Sequence, residues 1–157
     1  MPDMLVKLYN TKSCYHLIEK LEQEGIKIKR AMSADLSVIR EFIESKFSKG
    51  WADEATKGIL SSPSTCYIAT QNGKVVGFAG YDCTAKGFFG PTGVDESMRG
   101  KGVGKALYIK CLISMYEQGY AYAIIGDAGP VDFYAKVSDA VVIPDCFPGE
   151  YKNLVSQ

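Results

Sequence analysis

Two hydrophobic rhythms alternate along the chain, and the switches between them divide it into elements. Residues 4–9 (Met-Leu-Val-Lys-Leu-Tyr) predict a short strand. Cys14, Leu17, Ile18 and Leu21 recur at helical spacing and predict a helix over 12–24, with Gly25 as its stop. Residues 26–31 alternate apolar and basic positions and predict a strand. Ser33 then offers an N-cap to a helix running to about Ser48, whose apolar stripe is Leu36, Ile39, Phe42, Ile43 and Phe47 and whose end is set by Gly50. A further helix is expected from Trp51 to Leu60, stopped by Ser61-Ser62-Pro63.

The rhythm then changes to period two. Thr65–Thr70 predicts a strand, Asn72-Gly73 a type I′ hairpin turn, and Lys74–Tyr81 the antiparallel return. Lys86–Val94 is a third, irregular strand, interrupted by Gly87, Gly90, Pro91 and Gly93. A helix over 102–118 carries Val103, Leu107, Cys111 and Met115 on one face and ends at Gly119. Tyr120–Ile125 is a strand, Pro130 opens a short helix to about Val137 as its first helical residue, and Ala140–Ile143 is a last strand. The order β-α-β-α-α-β-β-β-α-β-α-β predicts a mixed α/β sheet, with an antiparallel meander followed by a crossover over 86–125 that leaves its flanking strands parallel.

Composition narrows the function classes. The 157 residues suit one domain, and 46% hydrophobic with 23% charged residues excludes wholesale disorder. Eighteen basic and eighteen acidic side chains give zero formal net charge, which argues against a nucleic-acid-coating protein. Five cysteines (14, 66, 83, 111 and 146) without a CxxC, and the single His16, argue against a disulfide scaffold and a Cys/His metal site. No basic region leads into an apolar stretch at the N-terminus and no run approaches 18 apolar residues, so a cytoplasmic protein with no membrane association is expected, as a monomer or homodimer.

Eight of the 16 glycines fall between residues 77 and 104. The densest part, Arg99-Gly100-Lys101-Gly102-Val103-Gly104-Lys105, lies between a strand and a helix. Such a loop exposes several N–H groups beside the positive end of a helix, and Arg99, Lys101 and Lys105 add full charges, which suits a phosphate or pyrophosphate. A Gly-rich turn with surface lysines is the competing reading. The dinucleotide fingerprint fails because Lys105 stands at its last glycine position; the P-loop fails because Arg99 replaces its first glycine and Ala106 its Ser/Thr.

The spacing that fits is R/Q-x-x-G-x-G/A, on Arg99, Gly102 and Gly104. With the segment Gly93-Val94-Asp95-Glu96-Ser97-Met98 before it, the Asn72-Gly73 hairpin leading into Val75-Val76-Gly77-Phe78-Ala79, the late Phe133-Tyr134-Ala135-Lys136, and the element order, the chain over about 26–143 resembles the GNAT superfamily of acyl-CoA-dependent N-acetyltransferases. The resemblance implies a mostly antiparallel sheet flanked by helices, with a splayed parallel strand pair at the cofactor site. It divides the chain into a strand–helix extension (1–25) packed on an N-acetyltransferase domain (26–157). It departs from the family at Ser138-Asp139-Ala140, where Gly-Phe is usual, and at Asp127, where many members have Asn.

The resemblance implies acetyl-CoA as cofactor. Its pyrophosphate would be held by the backbone of Gly100, Lys101, Gly102, Val103, Gly104 and Lys105 beside Arg99, and its pantetheine arm by Thr92, Gly93 and Val94. Tyr134 is the implied general acid, since a phenol stays protonated at neutral pH. The general base stays open among Glu54, Asp82 and Asp127; Cys83 lacks a neighbouring base and His16 is expected at the surface. Trp51, Phe88 and Phe89 are candidates for the wall of an acceptor site taking a small-molecule or peptide amine. The expected activity is N-acetylation of an amine; the alternatives are a non-catalytic acyl-CoA-binding sensor and a general phosphate-binding protein. Charge is also segregated: residues 99–110 hold four bases and no acid, whereas 111–157 hold six acids and two bases.

Overall fold

The computed structural model describes residues 1–155. Seven strands form one sheet: β1 (Met4–Lys7), β2 (Ile26–Arg30), β3 (Cys66–Gln71), β4 (Lys74–Tyr81), β5 (Phe88–Val94), β6 (Tyr122–Ile125) and β7 (Val141–Val142). Their spatial order is β2-β3-β4-β5-β6-β1-β7. Every neighbouring pair is antiparallel except β5 and β6, the two strands joined by the helical crossover. The five helices are α1 (Tyr15–Gln23), α2 (Leu36–Lys46), α3 (Lys49–Ile59), α4 (Val103–Glu117) and α5 (Val131–Ser138). Strand β1 lies between β6 and β7, so the first residues of the chain are built into the same sheet.

Strand alternation divides the core into two layers. On β3 and β4, Cys66, Ile68 and Phe78 pack with Ile39 and Ile43 of α2 and Ala52, Ala55 and Ile59 of α3. Their neighbours Tyr67, Ala69, Ala79 and Tyr81 face the other way, onto α4. Each large apolar side chain buried in these layers contributes roughly 1.5–3 kcal/mol. Helix α4 is buried beyond its expected stripe: Ala106, Tyr108, Ile109 and Leu112 are buried as well as Val103, Leu107, Cys111 and Met115. It lies against the sheet and also contacts α1 and the Leu8–Asn10 turn. Its buried Ser114 is satisfied by the Tyr67 hydroxyl at 2.6 Å.

Several element ends differ from the sequence reading. The first strand stops at Lys7, where Leu8–Asn10 forms a 3₁₀ turn. Ser33 caps nothing; it opens a 3₁₀ turn and α2 starts only at Leu36. Gly50 does not end α2. The break comes at Phe47, with φ −131° and ψ −89°, and Gly50 sits in the first turn of α3, whose start is fixed by Ser48 Oγ accepting from the Trp51 amide. Pro130 precedes the helix it was expected to begin, with ψ 73° outside the helical range. The last strand shrinks to Val141–Val142, held by two partners on β1.

Candidate active site

The site begins where two parallel strands part. β5 and β6 are in register only at Phe88–Ile124 and Phe89–Ile125. Beyond that point β5 continues along β4, pairing Thr92 with Ala79, Gly93 with Phe78 and Val94 with Gly77. The chain after Ile125 instead leaves the sheet through Gly126–Pro130 into α5, with Asp127 in a left-handed conformation (φ 49°). From Gly90 to Val94 the far edge of β5 has no strand beside it among the described residues.

Packing holds this open edge from below. A Cβ on Gly93 would overlap the ring of Phe47, so glycine is required for the aromatic side chain to lie against the strand. Phe47 packs in turn on Trp51 (ring centroids 5.5 Å apart) and Phe78 (5.8 Å). Thr92 Oγ1 donates to the Phe78 carbonyl at 3.1 Å, tying β5 to β4 rather than to any group across the gap.

The glycine loop lies at the far end of β5. Gly104 sits against Val94: a Cβ there would stand 3.4 Å from Val94 Cγ2. Gly100 and Gly102 have φ of +83° and +89°, conformations that L side chains rarely adopt. A Cβ on Gly102 would also stand 2.9 Å from Leu17 Cδ1 of α1, so the N-terminal helix buttresses the loop. The first backbone hydrogen bond of the helix comes from the Ala106 amide to the Gly102 carbonyl. Among the described residues the amides of Gly100 through Lys105 have no partner, and Arg99, Lys101 and Lys105 have no ion pair. Six N–H groups without a partner, beside three cations at the positive end of a 15-residue helix, have the chemistry to fit a pyrophosphate.

A cleft of about 1290 Å³ occupies the space between the parted strands and the C-terminal turn. Phe89–Thr92 and Ile125–Pro130 form one side, α3 contributes Trp51, Asp53 and Glu54, and the segment from Phe147 to Val155 closes the other side. Tyr134 of α5 lines it. Only 4% of this side chain is exposed, and burial pushes its pKa up to about 12. Its ring packs against Tyr108 and Phe89, while its hydroxyl has no hydrogen-bond partner among the described residues. The site thus presents a protonated phenol at the wall of the cleft.

Of the three carboxylates left open by the sequence, Glu54 and Asp127 line the cleft and Asp82 does not. Asp82 is occupied in a turn, accepting from the Gly87 amide (2.7 Å) and the Tyr120 hydroxyl (2.8 Å). Asp127 faces the Met1 amino group at 3.5 Å. Glu54 Oε2 accepts from the Tyr151 hydroxyl at 2.7 Å, and that hydroxyl lies 3.4 Å from Thr84 Oγ1. Burial and the neighbouring Glu54 carboxylate push Tyr151 to about 12, so it remains a donor at neutral pH.

Tyr151 and Thr84 were not legible as site residues in the sequence; they lie 97 and 30 positions from Glu54 and no spacing links them. Trp51 and Phe89 line the cleft, whereas Phe88 packs against Gly126. Cys83 also lines it, but burial raises its thiol to about 12, which suppresses the thiolate. His16 is exposed on α1, edge-on to Tyr15.

The model of the Acetyltransferase (GNAT) family matches residues 36–137, from the start of α2 into α5. A search of curated proteins found no match. Among solved structures, the chain is similar to a glucosamine N-acetyltransferase region of a fungal multi-domain GH3 β-N-acetylglucosaminidase (TM-score 0.73, 16% identity, 90% of this chain). It is also similar to a GCN5-related N-acetyltransferase from Sphaerobacter thermophilus (TM-score 0.69, 19% identity, 90% of this chain). The chain spans 19% of the first and 48% of the second. A GNAT family acetyltransferase from Brucella melitensis, in complex with acetyl-CoA, matches 75% of this chain and 86% of its own at TM-score 0.57 and 16% identity. At these identities the likenesses establish the shared fold, and the family model establishes membership: the chain belongs to the GNAT acetyltransferase family.

Proposed function

We propose that the protein is an N-acetyltransferase that moves the acetyl group of acetyl-CoA onto a primary amine by direct attack. One observation carries this reading: β5 parts from β6 between the six unpaired amides of Gly100–Lys105 at one end and the unpaired hydroxyl of Tyr134 in the cleft. The Brucella relative with acetyl-CoA bound, alike in fold, is consistent with that choice of acyl donor. Bound acetyl-CoA supplies an acyl carbon activated by a sulfur leaving group.

This chain's own groups supply the rest. The loop amides with Arg99, Lys101 and Lys105 hold the pyrophosphate. The bare edge at Thr92, Gly93 and Val94 receives the pantetheine arm as an added strand, and an amide near Val94 polarises the thioester carbonyl. Glu54 accepts a proton from the incoming ammonium and passes it to water. Tyr134 donates its proton to the departing sulfur. Because burial makes its phenolate costly, Tyr134 must recover a proton from the reacting nitrogen as it gives up its own. The balance closes: a C–N bond forms as the C–S bond breaks, the nitrogen sheds two protons, one reaches water and one ends on sulfur.

The test is release of free thiol from acetyl-CoA across a panel of amines, with parallel titrations of CoA, ATP and NAD. Amine-dependent release with CoA binding supports the proposal. Binding of ATP but not CoA overturns it. CoA binding with no release for any amine replaces it by a sensor or regulatory module.

A further inference from the structure

Among the described residues, the charged side chains that line the cleft are Asp53, Glu54, Asp127 and Glu150, with no Lys, Arg or His; the one cation there is the Met1 amino group. In a chain with equal numbers of acids and bases this is a local separation of sign. Three cations stand on the glycine loop, and four acids line the cleft that would take the acceptor. Two of the four acids are already matched. Asp53 is held by Arg40 at 3.0 Å and Asp127 faces the Met1 amine. Glu54 and Glu150 have no cationic partner among the described residues. Glu54 takes only the neutral Tyr151 hydroxyl, and Glu150 precedes Tyr151 on the same wall.

An independent observation marks this space as a ligand site. Tyr134, with 4% of its surface exposed, lines the same cleft and leaves its hydroxyl without a partner among the described residues. Apolar surface from Trp51, Pro148 and Leu154 completes the walls. The cleft therefore offers two carboxylates without a cationic partner among the described residues, together with apolar surface.

Building on the acetyl-transfer reading, we propose that the acceptor is a small aliphatic amine bearing a second cationic group. Its reacting ammonium meets Glu54 and its second ammonium meets Glu150. An acceptor of this type brings the two charges the cleft lacks. An ω-amino acid of the same length places a carboxylate against Glu150 and is rejected by like-charge repulsion.

The test uses three probes of one length: 1,4-diaminobutane, butylamine and 4-aminobutanoate. Each is titrated into the CoA-saturated protein and assayed with acetyl-CoA. The diamine is expected to exceed butylamine about tenfold, and 4-aminobutanoate about a hundredfold, in affinity and in kcat/KM. In the Glu150→Gln variant the diamine-to-butylamine ratio falls towards one, while Glu54→Gln weakens binding of both amines. Equal acetylation of all three probes overturns this proposal and leaves acetyl transfer standing. Selective diamine binding without thiol release keeps the dicationic ligand class for the cleft and overturns acetyl transfer. No preference for the diamine in either readout overturns the acceptor class.

Discussion

The Tyr151 hydroxyl donates to Glu54 Oε2 at 2.7 Å, joining the C-terminal turn to α3 across 97 residues of sequence. Both residues line the cleft, and among the described residues Glu54 is the one cleft carboxylate whose only partner is a neutral hydroxyl. On the proposed reading, in which Glu54 takes the proton from the amine, Tyr151 would act through Glu54 as a positioning residue.

Replacing Tyr151 by Phe removes the donor and keeps the ring. A hydrogen bond to a charged group is worth about 1.5–3 kcal/mol, so kcat/KM for the amine falls about tenfold or more. KM for acetyl-CoA stays near the wild-type value, because the Tyr151 hydroxyl touches Glu54 and Thr84 and none of the groups proposed to hold the cofactor. Steady-state kinetics varying each substrate in turn separates the two effects. An equal rise in both KM values would assign Tyr151 a purely structural role.

Gly93→Ala places a methyl group in the Phe47 ring. Overpacking of this kind costs about 1–3 kcal/mol, and here the ring also supports the bare edge of β5. Urea unfolding is expected to show that loss of stability, and titration is expected to show weakened CoA binding. The double variant with Phe47→Ala relieves the overlap and recovers part of the binding.

Gly102→Ala is strained for two reasons, its φ of +89° and the 2.9 Å approach to Leu17. Stability is expected to fall by about 1–2 kcal/mol, with weaker CoA binding. Adding Leu17→Ala removes the contact but leaves the φ penalty, so it restores the loss only in part. Full restoration would show that the backbone at Gly102 needs no glycine.

Alkaline stability follows from the buried acids. Burial raises Cys83 and Tyr134 to about 12, and burial with the adjacent acceptor does the same for Tyr120 and Tyr151. In the unfolded chain these groups titrate near 9 for Cys and 10 for Tyr. A raised folded pKa contributes stability that is complete below the unfolded value and is lost as pH climbs towards the folded one. Thermal unfolding scans are therefore expected to give a falling Tm between about pH 9 and 12. The protonated form of Tyr134 that the proposed mechanism needs persists past pH 10, so on that reading Tyr134 imposes no alkaline loss of activity below that pH.

Local chemistry made much of the fold legible. Asn72-Gly73 located a hairpin that closes between β3 and β4, with Lys74–Tyr81 as its return strand. Gly87, Gly90, Pro91 and Gly93 marked β5 as interrupted, and its outer edge is bare from Gly90 onward. What sequence left obscure was tertiary. Phe47 looked like another core residue of α2, yet its backbone ends that helix and its ring supports Gly93. Leu17 belongs to a segment outside the family match, yet it packs on Gly102. Glu54 was one carboxylate of three until Tyr151, near the far end of the chain, singled it out. Such contacts leave no periodicity, because each partner is placed by a different element.

The most direct test of the central claim is the rate of amine-dependent thiol release from acetyl-CoA by wild type and Tyr134→Phe, with acetyl-CoA affinity measured on the same preparations. A loss of kcat of about tenfold or more with affinity unchanged is expected, since the substitution removes only the unpaired hydroxyl from the cleft. An unchanged kcat in Tyr134→Phe would contradict it.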